Sequence, residues 1–483
     1  MAPRDLPKFQ ELNFGDIDAA REAIEDPQLL LEGYFDYRQA AYGIETQHLW
    51  LLLGPKGSGK TAVLEHIRLK WALMPDRFFT LWDLSGFPVN DVTAIATGQS
   101  KGASRNQSAW EFLLLLRLLS SLSDDDSVWS TDGSLHRFVA GLRTLGFLTS
   151  DWVSAVTRWG ADAITVDASL LGEDGRMGSL SDERAMNPLE LTAYMKDVVA
   201  TTRGSGQHKI ALDGLDSFFF ESSDEWASLA GLIQAMNTLN KWFKQHDLSY
   251  SFVAAVRSDV FDVLPGPDLN KIKQNAVHLD WNAGGIGRSN GLWNLLTMKA
   301  AVGRPRVTDV VSQYLGRETR VWVYPDIPTL ILDHTRLLPR DVVAAMKLFQ
   351  LEYGGSSIVP EENAKRAIKR YCEEYFVGEI FDNLAGILEP KKARSLASFR
   401  EALRTAPTRV FSFEYVKTEL AGELDASEVR QLLKQMFDVG GLGIRNGPHT
   451  DFVYRSVGGA GFSPRHDYLL HDALTRAWNR PWS

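Results

Sequence analysis

Apolar runs in the first half of the chain have the length of buried β-strands. They occupy residues 48–53, 78–84, 209–212 and 250–256. Helical patterns follow the first run, at residues 61–68, and precede the last, at residues 226–246. Strands that alternate with helices usually pair in parallel, because each crossover helix returns the chain to the same edge of the sheet. The pattern therefore predicts an α/β fold with a parallel, doubly wound sheet.

A long stretch separates the second and third apolar runs, and it predicts a helical insertion in the sheet domain. Polar breaks rich in Ser, Asp and Gly divide this stretch, for example at residues 121–127. Residues 172–183 are predicted to form a mobile loop. The predicted helices of the insertion lie at residues 108–120, 135–145 and 188–202.

Beyond about residue 266 the alternation of strand and helix weakens, and a helical lid is predicted. Its helical patterns lie at residues 292–301, 339–352 and 361–376. The last part of the chain predicts two helices followed by two short strands, which is the order of a winged helix. These elements lie at residues 413–421, 426–437, 443–445 and 452–457.

Four domains follow from this order of elements. Residues 1–47 are mainly helical in pattern, because Phe14-Gly15 precedes an acidic, Ala-rich stretch that is typical of a capped helix start. The remaining predicted domains are a sheet domain at residues 48–265 with its insertion at about 99–205, a helical lid at 266–385, and a winged-helix-like domain at 386–483.

The composition excludes some classes of protein but does not identify a binding partner. The chain has 483 residues, of which 44% are hydrophobic, so it can bury a large core. A formal net charge of -9 argues against indiscriminate binding to nucleic acid or anionic lipid. The single cysteine, Cys372, excludes an intramolecular disulfide and a Cys-rich zinc site. No run approaches a membrane span, and the N-terminus lacks the apolar core of a signal peptide, so we expect a cytoplasmic protein.

The loop after the first predicted strand carries the main chemical signal. It fits the phosphate-binding pattern G-x-x-x-x-G-K-[ST], with a strand before it and a helix after it. Glycines let the backbone curl so that N–H groups and the positive helix end face a phosphate. The motif predicts binding of ATP or GTP, between which the loop does not choose. Lys60 is expected to reach the β- and γ-phosphate oxygens of the nucleotide, and the Thr61 hydroxyl to ligate Mg²⁺. The predicted nucleotide-binding residues are Gly54, Pro55, Lys56, Gly57, Ser58, Gly59, Lys60 and Thr61.

Two acids after the third apolar run supply the other half of the predicted site. Such a loop needs a carboxylate at the end of a neighbouring buried strand to hold Mg²⁺ through its waters, and Asp213 is in that position. Asp216 lies three residues further on, where a turn could bring it toward the γ-phosphate to orient the attacking water. For both acids the alternative is an ordinary turn residue at the end of a strand.

The segment Asp213-Gly214-Leu215-Asp216-Ser217 resembles a known motif. NACHT members of the STAND branch of P-loop NTPases carry a strand ending in D-G-h-D-E, and four of these five positions match. Ser217 replaces the glutamate, which puts efficient hydrolysis in doubt. Glu221, Asp224 and Glu225 lie close enough in sequence to substitute for it.

The whole chain also resembles a family of bacterial P-loop ATPases with a fixed layout. That layout has an N-terminal Phe-Gly segment, the P-loop, an Arg-Ser-Asp after the fourth strand, a Pro-Arg-Asp in the lid and a winged helix. Arg257 of Arg257-Ser258-Asp259 would read the γ-phosphate, or else pair with Asp259 or Asp262. Arg340 of Pro339-Arg340-Asp341 would reach the nucleotide from the lid, or else be a solvated arginine at a capped helix start.

The resemblance implies an ATP-binding switch that hydrolyses ATP slowly or conditionally. Proteins of this type are signal-transducing ATPases that assemble, here as a homo-oligomer, when triggered. The sequence shows no effector domain, so an output activity requires a partner protein, and a role in bacterial signalling or phage defence is implied. If Arg340 touches phosphate in one nucleotide state only, the lid and winged helix are biased between two orientations.

Two alternatives belong to other classes. A nucleotide-controlled DNA-binding protein would use winged-helix cations, namely Arg430, Lys434, Arg445 and Arg455. Residues 407–483, however, carry nine Lys and Arg against nine Asp and Glu, so docking within the chain or to a partner is favoured over DNA. A P-loop kinase acting on a small molecule is the third hypothesis, and the long lid argues against it.

Overall fold

The computed structural model divides the chain into two compact units. The first, here called the helical unit, comprises Met1–Tyr37, Pro55–Ala62 and Leu279–Ser483; the second, the sheet unit, comprises Arg38–Gly54 and Val63–His278. The structure describes residues 6–46, 49–95, 103–149, 151–161, 166–167, 185–186, 188–215, 223–266, 268–316, 318–385, 387–447, 449–455 and 461–481.

The strands of the described residues form one larger parallel sheet, one smaller antiparallel sheet and two short pairs. Their bounds are β1 Leu51–Gly54, β2 Arg77–Asp83, β3 Trp129–Ser130, β4 Val166–Asp167, β5 Ala185–Met186, β6 Thr202–Arg203, β7 Gln207–Asp213, β8 Tyr250–Arg257, β9 Val277–His278, β10 Val410–Phe411, β11 Leu442–Asn446, β12 His449–Asp451 and β13 Asp467–Leu470.

Helices account for most of the remaining described chain. The α-helices are α1 Ala19–Glu25, α2 Pro27–Glu32, α3 Ala40–Glu45, α4 Lys60–Trp71, α5 Val89–Ala94, α6 Ala103–Leu122, α7 Ser134–Thr144, α8 Trp152–Ala161, α9 Pro188–Thr201, α10 Ser223–Gln245, α11 Ser258–Phe261, α12 Leu269–Gln274, α13 Gly291–Ala301, α14 Ile327–Asp333, α15 Pro339–Glu352, α16 Glu361–Arg370, α17 Val377–Asp382, α18 Ser395–Thr405, α19 Phe413–Glu419, α20 Ala426–Asp438 and α21 Asp472–Ala477. Short 3-10 turns lie at Phe9–Glu11, Tyr37–Gln39 and Pro390–Lys392, and π-helical turns at Val311–Leu315 and Tyr371–Phe376.

A five-stranded, all-parallel sheet flanked by helices forms the centre of the sheet unit, so the fold is mixed α/β. Its strand order is β2-β7-β8-β1-β9. Leu51, Leu52 and Leu53 of β1 are buried, as expected for a strand that has neighbours on both edges. The four predicted strands are confirmed, and their bounds differ from the predicted ones by at most three residues.

Helix α10 packs on β8, and a side chain completes the hydrogen bonds of that strand. Pairing of β8 with β1 begins at Ala254, so Phe252 lies before its start. Asn240 of α10 donates to the Phe252 carbonyl at 2.9 Å and accepts from its N–H at 2.8 Å. This two-way contact satisfies buried backbone groups that would otherwise lack partners.

The insertion is helical, as predicted, and packs on the sheet unit's own core. Helices α6 and α10 pack together, and α9 packs on α6. At the end of α6 the ring of His208 lies between the Ser121 hydroxyl, at 3.0 Å, and the Asp125 carboxylate, at 3.1 Å. All three side chains are buried, so this cluster ties α6 to the start of β7. The loop predicted at residues 172–183 lies outside the described residues.

In the helical unit, α13 to α18 and their connections bury a continuous apolar core that includes Phe9 and Phe14 of the N-terminal segment. The predicted helices of this region are confirmed, with one difference. The pattern at residues 361–376 predicts one α-helix, whereas the structure has α16 followed by a π-helical turn at Tyr371–Phe376.

The C-terminal elements join the helical core through buried charges. Asp333 ends α14 and Asp472 begins α21, and the Tyr324 hydroxyl lies 2.9 Å from the first carboxylate and 3.3 Å from the second. Arg455 donates to Asp333 at 2.8 Å, and Arg409 donates to Asp472 at 2.5 Å. Each carboxylate thus has its own arginine, and the two share the Tyr324 hydroxyl where α14 meets α21.

Part of the C-terminal prediction is wrong. Helices α19 and α20 and strand β11 are confirmed, and β11 belongs to an antiparallel sheet of order β10-β13-β11-β12. Residues 452–457, predicted as a strand, are not one where the structure describes them. A tight turn at Gly447 lets β12 pair directly with β11, so the second strand of this hairpin comes before residues 452–457. Phe452 instead packs its ring under Gly443, where a Cβ would lie 3.0 Å from it.

No α-helix among the described ranges combines the length and the apolar character needed to cross a membrane.

Candidate functional site

The glycine-rich loop, residues 54–61, joins the end of β1 to the start of α4. Gly57 and Gly59 have φ angles of +84° and +95°, which side-chain-bearing residues rarely adopt. Gly54 was expected to supply the same freedom, and that prediction is wrong. It is the last residue of β1, pairs with Arg257 of β8 and has no positive φ.

Two polar side chains of the loop, those of Lys60 and Ser58, are buried. Lys60 is 6% exposed, and its Nζ donates to the Pro55 carbonyl at 3.1 Å, so the ammonium group folds back across the loop. Ser58 is 1% exposed, and its hydroxyl has no hydrogen-bond partner among the described residues. Buried polar groups are nearly always hydrogen-bonded. The Ser58 hydroxyl is therefore a group that a polar ligand of this loop would satisfy.

An aromatic pair within the helical unit supports the loop at Ser58, and the sequence reasoning missed it. Trp281 Nε1 donates to the Ser58 carbonyl at 3.0 Å. The Tyr37 ring stacks on the Trp281 ring, with centroids 3.9 Å apart, and the Tyr37 hydroxyl donates to the Asp280 carbonyl. A buried indole N–H needs an acceptor, so the sequence could have indicated that Trp281 has a hydrogen-bond partner. No local pattern identifies the Ser58 carbonyl as that partner.

Arg340 lies against the same loop. Its backbone N–H donates to the Gly57 carbonyl at 3.4 Å, and a Cβ on Gly57 would lie 3.2 Å from Arg340 Cβ. Its Nε donates to the Ile17 carbonyl at 3.1 Å. Of the two alternatives for Arg340, the solvated arginine is therefore wrong. Its reading of a nucleotide stays a prediction.

The acid that follows Arg340 has a structural role. Asp341 is fully buried and forms a two-point ion pair with Arg336, at 2.9 Å and 2.6 Å. Burial alone would lower the pKa of Arg336, but the carboxylate of Asp341 outweighs it and raises that pKa above its ordinary value. This pair fixes the chain where α15 begins, and so fixes the position of Arg340.

Helix α17 contacts Lys56 of the loop and Arg340, which lies against the loop. Glu379 Oε1 lies 3.7 Å from Arg340 and 3.5 Å from Arg336. Asn383, which caps the end of α17, accepts from Lys56 Nζ at 3.3 Å. Helix α17 therefore contacts both Lys56 of the loop and Arg340.

In the sheet unit, charged residues end three neighbouring strands at one edge of the sheet. Arg257 ends β8, Asp213 ends β7 and Asp83 ends β2. Asp213 was expected on a strand next to β1, and this is wrong because β8 lies between them. Asp83 is paired in register with Asp213 and was missed, although it is the one acid in the apolar run at residues 78–84.

For Arg257 the structure shows the salt-bridge alternative. Its Nε and second guanidinium nitrogen donate to Asp259 at 3.0 Å and 2.6 Å, and its side chain is 15% exposed. Asp262 pairs with Lys273 instead. A γ-phosphate-reading role for Arg257 stays a prediction, and it requires exchange of this partner.

Asp216, expected to orient the attacking water, lies outside the described residues, as do Ser217 and Glu221. Its role stays a prediction. Asp224 and Glu225 lie in the first turn of α10. Among the described residues, no group of three or more His, Cys, Asp or Glu side chains is placed to hold a metal ion.

The cations named for DNA contact are only partly available. Arg430 and Arg445 are exposed, whereas Lys434 pairs with Asp438 at 2.5 Å. Arg455 is wrong as a phosphate contact, because it pairs with Asp333 and lies 4.9 Å from the centre of the Phe452 ring. DNA binding itself stays a prediction.

These features define an α/β protein in which strand β1 of the parallel sheet leads through a glycine-rich loop into a helix. No protein-family model matches the chain, and no curated protein matches it in sequence.

Proposed function

We propose that this protein is an ATP-binding switch of the P-loop NTPase class, with slow or conditional hydrolysis. One observation carries the proposal: Gly57 and Gly59 adopt positive φ immediately before a helix that begins at Lys60. Backbone of this shape turns successive N–H groups toward one point at the positive end of a helix, which is how proteins bind phosphate.

The side chains of the loop support phosphate as the ligand. The Lys60 ammonium group donates to a backbone carbonyl of the loop, and a β- or γ-phosphate oxygen is a stronger acceptor than a carbonyl. The buried hydroxyl of Ser58 would gain a partner at the same time. Both changes favour binding of a polyphosphate over the empty loop.

Mg²⁺ would be held by oxygen ligands, which it prefers. The proposal assigns it to the Thr61 hydroxyl, in the first turn of α4, and through water to the Asp213 carboxylate. The ion would neutralise charge on the phosphates.

The arginines give a reason for conditional hydrolysis. Arg257 is occupied by Asp259, and Arg340 faces Glu379. Either guanidinium could stabilise charge on a transferring phosphoryl group only after leaving its carboxylate. In this proposal Asp216 orients the attacking water. A trigger that releases the arginines would then raise the rate.

The wider role is supported by the resemblance alone. It proposes that nucleotide state sets the orientation of the lid and a C-terminal winged helix, that the activated form is a homo-oligomer, and that output passes to a partner protein in bacterial signalling or phage defence. Contact of Lys56 and Arg340 with α17 offers a physical link from loop to lid, since both contacts lie within the helical unit.

Binding, turnover and particle mass test the proposal together on purified protein. Wild type should bind Mg²⁺-ATP, and Lys60→Ala should weaken binding by at least about tenfold, because a charge-assisted contact is lost. Lys70→Ala is the matched control, since Lys70 lies at the other end of α4 and pairs with Glu45. Wild type should also change mass with a non-hydrolysable ATP analogue. Equal weak binding by all three proteins would reject the proposal.

A further inference from the structure

The N-terminal segment is bound along the helical unit as an irregular peptide. Residues 7–17, all of which the structure describes, contain one 3-10 turn at Phe9–Glu11 and are here called the N-terminal strap. The Gln350 amide of α15 donates to the Phe9 carbonyl at 2.8 Å and to the Leu12 carbonyl at 2.7 Å. Helix α15 therefore holds the strap through its backbone, in the way that a peptide ligand is held.

A salt bridge joins the far end of the strap to the same helix. Lys347 Nζ of α15 donates to Asp16 Oδ2 at 2.9 Å, while Arg21 and the Asp18 N–H donate to Asp16 Oδ1 at 2.5 Å and 2.9 Å. Burial opposes ionisation of this carboxyl group, but these hydrogen bonds outweigh burial and lower the pKa of Asp16 to about 2. Asp16 is therefore a fixed anion where the strap meets α15.

Buried groups also fix the backbone of the strap at this point. The Glu22 carboxylate is buried, accepts from the Asp16 N–H at 2.6 Å and pairs with Lys299. Gly15 has a φ of +87°, and a Cβ there would lie 2.5 Å from Glu22 Oε2 and 2.7 Å from Lys299 Nζ. The strap thus turns sharply before Asp16, which is held by its N–H as well as by its side chain.

The residue after Asp16 contacts Arg340 beside the glycine-rich loop. Arg340 Nε donates to the Ile17 carbonyl at 3.1 Å, and a Cβ on Gly57 would lie 3.7 Å from the same Nε. A guanidinium has five N–H groups in a planar fork, so the bond at Nε leaves four on the two terminal nitrogens. One of these nitrogens lies 3.7 Å from Glu379. The end of the Arg340 side chain is therefore the part that an anion in the loop can recruit.

We propose that Asp16 and Lys347 are positioning residues for ATP binding, which hold the Ile17 carbonyl on Arg340 and so direct its guanidinium to the γ-phosphate. This inference rests on the proposed function, in which Arg340 reads that phosphate. The strap, α15 and loop residues 55–62 all belong to the helical unit. A side chain that is already anchored loses less conformational freedom when it binds, which favours affinity. Because ADP lacks the γ-phosphate, the strap should help the site to distinguish ATP from ADP.

The ratio of ATP affinity to ADP affinity tests this inference, because a general loss of structure lowers both affinities. Arg340→Ala should lower the ratio by about tenfold or more, since a charge-assisted contact is lost. Lys347→Met keeps the apolar stem but removes the ammonium group, and it should lower the ratio by about three- to fivefold. Lys347→Arg keeps the charge and should retain the wild-type ratio. Lys365→Met is the matched control, because Lys365 pairs within α16.

A double-mutant cycle shows whether Lys347 acts through Arg340. In the Arg340→Ala background, Lys347→Met should cause no further loss in the ratio. Asp16→Asn weakens the same salt bridge from the strap and should lower the ratio in the Arg340 wild-type background. All variants should melt near the wild-type temperature, since Lys347 and Asp16 lie at the surface of a large core.

Two kinds of failure can be told apart. A wild-type ratio in Lys347→Met and Asp16→Asn would overturn the inference and leave ATP binding intact. A loss from Lys347→Met that is as large with Arg340→Ala as without it would overturn the inference as well, and so would a wild-type ratio in Arg340→Ala. Failure of the wild-type protein to bind ATP would instead reject the proposed function, and the inference with it.

Discussion

Gly57 shows how strictly a single position in the loop is determined. Its φ of +84° disfavours any side chain, and Arg340 occupies the space where a Cβ would point. Gly59 has the same kind of φ but a looser neighbour, since a Cβ there would lie 3.8 Å from Pro339. The two glycines look alike in the sequence, and only their surroundings distinguish them.

Gly57→Ala should destabilise the protein and weaken ATP binding. The left-handed backbone alone costs about 1–2 kcal/mol, and displacement of Arg340 adds to it. Gly422→Ala is the control, because Gly422 has a φ of +89° and a Cβ added there would meet no atom within 4 Å. Chemical denaturation and ATP titration of both variants measure the difference. A loss at Gly57 no larger than at Gly422, with unchanged ATP affinity, would contradict the prediction.

At the level of elements, local sequence signals defined boundaries well where a residue type enforces them. Helix α15 begins at Pro339 as predicted, because proline is favoured in the first turn of a helix. Strand β9 has only two residues and β13 only four, so neither has enough pattern to be seen in the sequence. The aromatic pattern near Phe452 is typical of a strand, but the Phe452 side chain packs against Gly443 of the sheet instead.

Trp281→Phe tests the support of the loop by the segment that follows β9. Phenylalanine keeps the stacking on Tyr37 but removes the donor to the Ser58 carbonyl, so stability should fall by about 1 kcal/mol and ATP affinity should drop. Trp293→Phe is the matched control, since Trp293 donates to Gly287, outside the loop. An equal effect of both substitutions on ATP affinity would show that the Trp281 contact does not support binding.

Across the helical unit, the buried charges of Asp333 and Asp472 join α14 to α21. Burial and the adjacent Asp333 carboxylate raise the pKa of Asp472 to about 6. The pKa of Asp333 is lowered to about 2: burial opposes this shift, while the hydrogen bond from Asp472 and the charge of Arg455 outweigh burial. The pair therefore holds one proton over a wide pH range.

Asp472→Asn should change stability in a pH-dependent manner. When folding raises the pKa of an acid, the folded state is stabilised at pH values below the ordinary pKa, which is 3.8 for Asp. That stabilisation is lost as the pH rises through the pKa of the folded state, which is about 6 for Asp472. Asparagine resembles the protonated acid, so the variant should gain about 2 kcal/mol relative to wild type between pH 4 and pH 8. Urea unfolding across this range measures the gain. Asp467→Asn, at an exposed position, should show no such trend, and a flat difference for Asp472→Asn would refute the assignment.

The amino-acid sequence by itself determined the four main strands, most helices and the glycine-rich loop, because each depends on neighbours within a few residues. Hydrophobic periodicity, proline at a helix start and glycine spacing are all local. They also sufficed to name Lys60 and Asp213 as candidates, whereas Arg340 was named by the resemblance to the P-loop ATPase family.

Only the tertiary structure decided which of these residues meet. It put β8 between β7 and β1, paired Asp83 with Asp213, set Trp281 on the Ser58 carbonyl and gave Arg257 to Asp259. The pairings of β1 with β8 and of Asp83 with Asp213, and the contact of Trp281 with Ser58, each join residues more than a hundred positions apart in the chain. Hydrogen-bond partners of strands and buried side chains are chosen by the whole packed core, which no local pattern encodes.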